Sequence, residues 1–345
     1  MPSILQKLFG RWGAASAGDR AAPSVHLAAF GKHPAWNDFA DDFGLETQRL
    51  VDVKRLLFQG IDANIAGWER LEEHQRLDGF HHVFVWSMGD ATVAGRLWAS
   101  SDGKGRSRYP MVACAEFTGL PLPAVLNAAL PALQAVEQEC VSAKTHEAVI
   151  GALEAARRNL RRLAAPPDAP STPPAIPPAT GGAVADVSPG EAAARLLGCA
   201  ELGGRGLVSM LYRLEQEAPG HLTWGRDPWA ATSDPKSVTG RPAHVRLPAC
   251  SPAPATAALL WTRFLANVVS ARASQLLILP VGERWVDLIV GDPTGPSLYC
   301  LMANEKGTPL TTDIPYTIDG TFAEKAGQFL AAYARDGAAT PGATR

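Results

Sequence analysis

The chain lacks most of the features that mark a secreted, membrane-spanning or nucleic-acid-binding protein. No apolar run reaches the roughly 18 residues that a spanning helix needs, and no continuous hydrophobic stretch marks a signal peptide, so we expect a cytoplasmic protein without stable membrane insertion. The formal net charge of -2 gives no reason to expect nucleic acid as a partner. Cysteines are scarce and scattered, which predicts thiols used as small apolar residues in a reducing compartment. The five cysteines are Cys114, Cys140, Cys199, Cys250 and Cys300.

The residues that are present indicate a globular protein of two domains. Hydrophobic residues make up 46% and charged residues 19% of the 345 residues, and this length exceeds that of one typical domain. Residues 164–190 are dominated by proline, alanine and glycine, which predicts a linker. We therefore predict a first domain at 25–163 and a second at 191–335. A flexible segment at 1–24, with a short amphipathic helix as the alternative, and a flexible tail at 336–345 complete the chain.

Hydrophobic periodicity predicts a mixed α/β (α+β) fold class. Short β-rich runs alternate with longer stretches in which apolar residues recur at helical spacing. Strands are predicted at 26–30, 82–86, 92–99, 111–117, 275–279, 285–290 and 297–302, and helices at 45–59, 61–71, 123–163, 255–271 and 322–333. Short hairpin connections favour antiparallel pairing, because parallel neighbours need long crossovers. Each domain is therefore expected to be a mostly antiparallel sheet covered by helices.

One carboxylate falls on a predicted strand. Asp287 shares a strand face with Trp285 and Ile289, because side chains alternate between the two faces of a strand. It is either a buried polar anchor or part of a strand edge that faces solvent, and the solvent-facing edge is the expectation.

A polar, cationic loop at 100–110 separates two of the predicted strands. Its Gly-Lys-Gly run at 103–105 is not a phosphate-binding P-loop, because Trp98 stands where that motif needs its first glycine. Its glycines permit a tight turn that presents the arginines. Arg106 and Arg108 could bind an anion, but a structural turn combined with protein contact is the expectation.

No residue pattern has the specificity of an enzyme signature. His33 and Asp38 have no recognisable nucleophile beside them, and the adjacent His81 and His82 point to opposite faces of a strand and cannot easily share a metal ion. The sequence therefore predicts no catalytic residue, no metal site and no cofactor. The alternative is a hydrolase or phosphatase-like enzyme that uses His33, Asp38 and Asp102.

Two motifs in order resemble a known family. Residues 31–39, GKHPAWNDF, are similar to the Gly-Lys-x-Pro-x-x-x-Asp-Phe opening of TagF (ImpM) proteins of the type VI secretion system. Residues 99–110 look like that family's second signature, Pro-Ser-x-Asp-x-x-Gly-Arg-x-x-Pro, with one extra residue before the last proline. Asn37 and Ala99 depart from the family's glycine and proline. The matching residues are Gly31, Lys32, Pro34, Asp38, Phe39, Ser100, Asp102, Gly105, Arg106 and Pro110.

The resemblance implies a cytoplasmic accessory protein that acts in type VI secretion by protein binding and without catalysis. In this family the role is post-translational restraint of assembly, in some members through a forkhead-associated scaffold protein. We expect the loops 31–39 and 100–110 to lie together and to form or brace the recognition surface. Asp102 and Arg106 are expected to hold the second loop through charge-assisted hydrogen bonds.

Overall fold

The computed structural model describes residues 22–164, 189–197, 199, 202–224 and 242–338. Most of the predicted N-terminal segment, most of the predicted linker and most of the C-terminal tail lie outside these residues. Within them the mixed α/β class is confirmed. The strands are β1 (Ser24–Gly31), β2 (His81–Met88), β3 (Ala91–Trp98), β4 (Met111–Thr118), β5 (Ala243–Pro248), β6 (Gln275–Pro280) and β7 (Trp285–Val290). The helices are α1 (Gln48–Trp68), α2 (Leu122–Ser142), α3 (His146–Arg161), α4 (Pro189–Leu196), α5 (Gly203–Glu217), α6 (Pro254–Leu265) and α7 (Gly320–Ala338).

The described strands form one antiparallel sheet in the order β1-β4-β3-β2-β6-β7-β5. The predicted separate sheet in each half is not confirmed, because β2 of the first half pairs with β6 of the second, from His82 opposite Pro280 to Ser87 opposite Gln275. This pairing joins residues that are 188 to 198 positions apart in the chain. The two-domain arrangement is therefore not confirmed, and the predicted boundaries remain predictions.

Both faces of the sheet are covered, which explains why its strands are almost continuously apolar. One face packs on α1, with Phe30 and Val112 of the strands against Leu50 of the helix. The other face packs on the remaining helices and includes Val85 and Leu133 in its core. Thr47 caps the N-terminus of α1 by accepting a hydrogen bond from the backbone N–H of Leu50, and Thr145 caps α3 in the same way.

The two halves also meet along α1, which contacts a 3₁₀ helix at Gly295–Leu301. Asn64 Nδ2 donates to Gly295 O at 2.8 Å, and Trp68 Nε1 donates to Tyr299 O at 2.9 Å. Gly60 lies against Leu298 so closely that a side chain at position 60 would collide with it. This contact explains the glycine at position 60, which lies inside one continuous helix where the sequence predicted a break between two helices.

Cleavage within 164–190 is expected to leave two fragments that stay together, because the β2–β6 pairing and the α1 contacts join the halves without the linker. Limited proteolysis followed by size-exclusion chromatography in native buffer measures this. We expect one peak at the mass of the intact chain that contains both fragments. Two separate, folded fragments would show that the halves are independent domains.

Two predictions about local structure are corrected, and one strand was missed. The predicted strand at 297–302 is instead the 3₁₀ helix, which starts with Pro at its second position and has a capping box from Thr294. Strand β5 was not predicted, because prolines bound its six residues. The prediction that all five cysteines are thiols is wrong for Cys199 and Cys250, which form a disulfide, whereas the other three are buried free thiols.

In the described part of the chain, no helix is long and apolar enough to cross a membrane.

Candidate functional site

The two motif loops meet at the end of the sheet where β1 finishes and β4 begins. The backbone N–H of Lys32 donates to Pro110 O at 3.2 Å, and that of Gly103 donates to Trp36 O at 2.6 Å. Gly31 has a φ of 120°, and a side chain there would collide with the Pro110 carbonyl. The expectation that the loops lie together is therefore confirmed.

An ion cluster with a buried centre, Lys32 and Asp102, and an exposed rim, Asp38 and Arg106, holds the loops in place. Lys32 Nζ donates to Asp102 Oδ2 at 2.9 Å and to Asp38 Oδ1 at 2.5 Å. Arg106 Nε also donates to Asp102 Oδ2, at 2.7 Å, and Arg106 Nη2 donates to Asn37 O of the first loop at 2.9 Å. Lys32 and Asp102 are only 4% and 2% exposed. Because buried charges are stable only when paired, this cluster fixes the geometry of both loops.

Asp102 is the centre of the cluster. Its Oδ1 accepts the backbone N–H groups of Lys104 and Arg106, both at 3.0 Å. Burial acts to raise the pKa of Asp102, but these hydrogen bonds and those from Lys32 and the Arg106 side chain outweigh it and hold the pKa below its ordinary value. Asp102 is therefore ionised at neutral pH, and the predicted charge-assisted hydrogen bonds between Asp102 and Arg106 are confirmed.

The pKa values of Lys32 and Asp38 are also shifted by the pairing within the cluster. Burial acts to lower the pKa of Lys32, but hydrogen bonds to Asp38 and Asp102 reverse the direction and raise the pKa above its ordinary value. The hydrogen bond from Lys32 is the main cause that lowers the pKa of Asp38. All three groups therefore stay charged at neutral pH.

Aromatic side chains form the outer side of this cluster. Phe39 is 39% exposed, and its ring lies 4.0 Å from Lys32 Nζ, in cation–π geometry. The rings of Phe58 and Tyr109 lie 5.4 and 5.2 Å from it. We call the exposed parts of loops 31–39 and 100–110, together with Phe58 and Tyr109, the loop surface. It combines a rigid exposed aromatic side chain with nearby cations, a composition typical of binding sites.

The remaining motif residues lie in the same two loops. Gly105 has a φ of 78°, a conformation that favours glycine in the tight turn of the second loop. Pro34 is exposed, Ser100 is partly buried, and Pro110 is buried beneath the first loop. Pro110 therefore supports the first loop from below, whereas Pro34 lies on its exposed side.

His33 occupies a structural position. Its Nε2–H donates to Cys140 O at 2.9 Å, and its Nδ1 accepts the backbone N–H of Ala35 at 3.1 Å. The tautomer follows from these partners, because a carbonyl oxygen only accepts and a backbone N–H only donates. The ring is 2% exposed, so both nitrogens are used in packing the first loop on α2.

A second buried polar centre lies on the other half of the sheet. Asp287 is fully buried, which corrects the expectation of a solvent-facing edge. Arg246 Nε and Nη2 donate to its two oxygens at 2.8 and 3.0 Å, and His244 Nε2 lies 2.8 Å from Oδ1. Burial acts to raise the pKa of Asp287, but His244 and Arg246 reverse the direction and lower it.

The sequence did not predict Arg246 as the partner of Asp287. Arg246 also donates to the backbone carbonyls of Ala303, Asn304 and Thr308 at 2.7–2.8 Å. His244, Asp287 and Cys300 place ligand-type atoms within 4.8 Å of one another, but the guanidinium already neutralises the carboxylate that a metal ion would need. The arrangement is therefore a structural anchor between β5, β7 and the segment after the 3₁₀ helix.

Neither a scan against protein-family models nor a search of curated proteins gives a match to this chain.

Proposed function

We propose that the chain is a non-enzymatic regulatory protein of type VI secretion, similar to TagF, that acts by binding a protein partner. Two lines of support meet in the same residues. The resemblance rests on ten motif positions, and the geometry uses Lys32, Asp102 and Arg106 among them to brace an exposed Phe39. The observation that carries the proposal is this exposed aromatic ring, which lies against the buried Lys32 of the ion cluster. The candidate partner is a forkhead-associated scaffold protein, and the effect is restraint of assembly.

The finer organisation belongs to this proposal. The motif-bearing half at 25–163 carries the loop surface, and the half at 191–335 extends the sheet that supports it. Because loops supply binding residues where a rigid scaffold positions them, we assign the second half a bracing role. A cytoplasmic location follows from the same proposal, since assembly would be restrained from that side.

Replacing Phe39 with serine is expected to weaken partner binding by at least about tenfold, because exposed aromatic anchors contribute about 2 kcal/mol or more at interfaces. Binding of the forkhead-associated scaffold to the purified chain by biolayer interferometry measures this. Val141→Ser is the matched control, since Val141 is a 61% exposed apolar residue outside the loop surface. In the host bacterium, the Phe39 variant should release the restraint on secretion. Equal binding by both variants would contradict the proposal.

The alternative of a hydrolase or phosphatase-like enzyme has its own test. Because the ring nitrogens of His33 are engaged in packing, we expect the purified chain to hydrolyse neither p-nitrophenyl phosphate nor p-nitrophenyl acetate above the buffer rate. His33→Ala is expected to lower the melting temperature without changing that result. Turnover that disappears in His33→Ala or Asp38→Asn, with normal folding of the variant, would support the enzyme instead.

A further inference from the structure

A disulfide joins two distant segments in the second half of the chain. Its cysteines, Cys199 and Cys250, are 51 positions apart. Cys199 follows α4, and Cys250 lies in the turn between β5 and α6. The bond therefore fastens the end of α4 to the turn that leaves the edge strand of the sheet.

The turn that carries Cys250 is also fixed by hydrogen bonds. Trp261 Nε1 donates to Pro248 O at 2.8 Å, and the backbone N–H of Ala249 donates to Arg284 O at 2.7 Å. These bonds tie the residues directly before Cys250 to α6 and to the start of β7. Breaking the disulfide is therefore expected to leave this end in place.

Helix α4 depends more on the disulfide. It has eight residues and packs on α5 and α7, and a helix this short is not stable by itself. The described side chains that it buries are the methyl groups of Ala193 and Ala194, with Leu197 directly after the helix. A methyl group removes little apolar area from water. We therefore expect α4 to be the element that opens when the bond is broken.

The conformation and the exposure of Cys250 suit a bond that is made and broken. Cys250 has a φ of 62°, in the region that favours glycine, and no other non-glycine residue of the described chain has a positive φ. Such a conformation persists only where its surroundings impose it, and it is common in switch regions. Cys250 is partly exposed, whereas Cys199 is 3% exposed. Cys250 is therefore the more accessible end for an attacking thiolate.

We propose that the Cys199–Cys250 disulfide is a redox switch that holds α4 on the fold when oxidised and releases it when reduced. The reductant is a dithiol. One of its thiolates attacks the Cys250 sulfur and expels Cys199 as a thiolate, which takes up a proton. The second thiolate of the dithiol then attacks its own sulfur in the mixed disulfide and expels Cys250, which is protonated in turn. The dithiol loses two electrons and becomes a disulfide, and the chain gains two thiols.

The proposed cytoplasmic location supports a regulatory use of this bond, and in this respect the inference rests on the proposed function. Such a compartment keeps thiols reduced, and the disulfides that form there are usually transient, catalytic or redox-sensing. The other three cysteines are buried free thiols. The oxidation state of the chain therefore changes at this one pair.

Trypsin cleavage after Arg195 reports the state of α4, because Arg195 is an exposed residue of that helix. The full chain is incubated with oxidised or reduced dithiothreitol in native buffer, and initial cleavage rates are followed by mass spectrometry. We expect cleavage after Arg195 to be at least about tenfold faster in the reduced chain, since proteolysis follows the population of the open form. Cleavage after Arg263, which is exposed on α6, should be equal in both states.

Two variants assign the effect to the disulfide. Cys199→Ala should be cleaved after Arg195 at the fast rate under both conditions. Cys114→Ala removes a free thiol and should respond to dithiothreitol as the unchanged chain does. Equal cleavage after Arg195 in the oxidised and reduced chain would overturn the proposal.

Alkylation with iodoacetamide measures the switch in the host bacterium. After trapping and denaturation we expect all five cysteines to be alkylated in growing cells, and three after treatment with the thiol oxidant diamide. The same number in both samples would overturn the proposal. Neither measurement involves Phe39, and the scaffold-binding test involves neither cysteine of the pair. Failure of the switch and failure of the proposed binding function are therefore distinguishable.

Discussion

Replacing Arg246 with methionine is expected to destabilise the fold by about 3–5 kcal/mol, because it leaves the buried Asp287 carboxylate without its main partner. Both side chains are fully buried, and Arg246 also ties β5 to three carbonyls of the following segment. Urea unfolding followed by far-UV circular dichroism measures the change.

The double variant Arg246→Met/Asp287→Leu is the matched control for that experiment. Removing both charges should recover a large part of the lost stability, because an apolar pair leaves no unpaired charge. A single variant as stable as the unchanged chain would show that the ion pair does not anchor the sheet. A double variant less stable than the single would show that the lost hydrogen bonds, not the unpaired charge, account for the effect.

Acidification is expected to remove several kcal/mol of stability through His82. This ring is fully buried and its Nε2 has no hydrogen-bond partner in the described structure. Burial lowers the pKa of His82 from 6.5 to about 3. Between those two values the unfolded chain binds a proton that the native chain does not, so stability falls as the pH falls through this range. The slope from this residue is about 1.4 kcal/mol per pH unit, or roughly 5 kcal/mol in total.

The variant His82→Leu isolates this effect from the other titrating groups. It removes the titrating ring and fills its buried position with an apolar side chain, so the free energy of unfolding of the variant should depend less steeply on pH between 6.5 and 3. Urea titrations at half-unit steps across that range measure both slopes. Identical slopes in the two proteins would mean that His82 is not neutral and buried in the native state.

The local part of the site was predictable from the sequence. The glycines and charges of 31–39 and 100–110 indicated tight loops, and their motif resemblance placed the loops together. The hydrogen bonds between Asp102 and Arg106 followed from their positions in one tight glycine turn, whereas the pairing of Asp102 with Lys32 of the first loop was not predicted. The engagement of His33 by Cys140 was not predictable, since it depends on how α2 packs against the first loop.

The long-range part of the fold was not predictable. Strand β2 pairs with β6 across the segment at 164–190. Short hairpin connections in the sequence predict pairing only between strands that are consecutive in the chain, so this pairing could not be predicted. Arg246 lies on β5, which was not predicted because it is short and has a proline at its end and another just before it. In the sequence, the Arg246–Asp287 pair was indicated by Asp287, a carboxylate on an otherwise apolar strand. If both faces of that strand are covered, the carboxylate needs a buried partner.

The most direct test of the central claim, that the loop surface binds a protein of the secretion system, is site-specific photo-crosslinking in the host bacterium. A benzoylphenylalanine residue is placed at position 39 and, in a matched strain, at position 141. The account predicts a crosslinked adduct at position 39 that contains a type VI secretion component, and none at position 141. The absence of an adduct at position 39, or the same adducts at both positions, would contradict it.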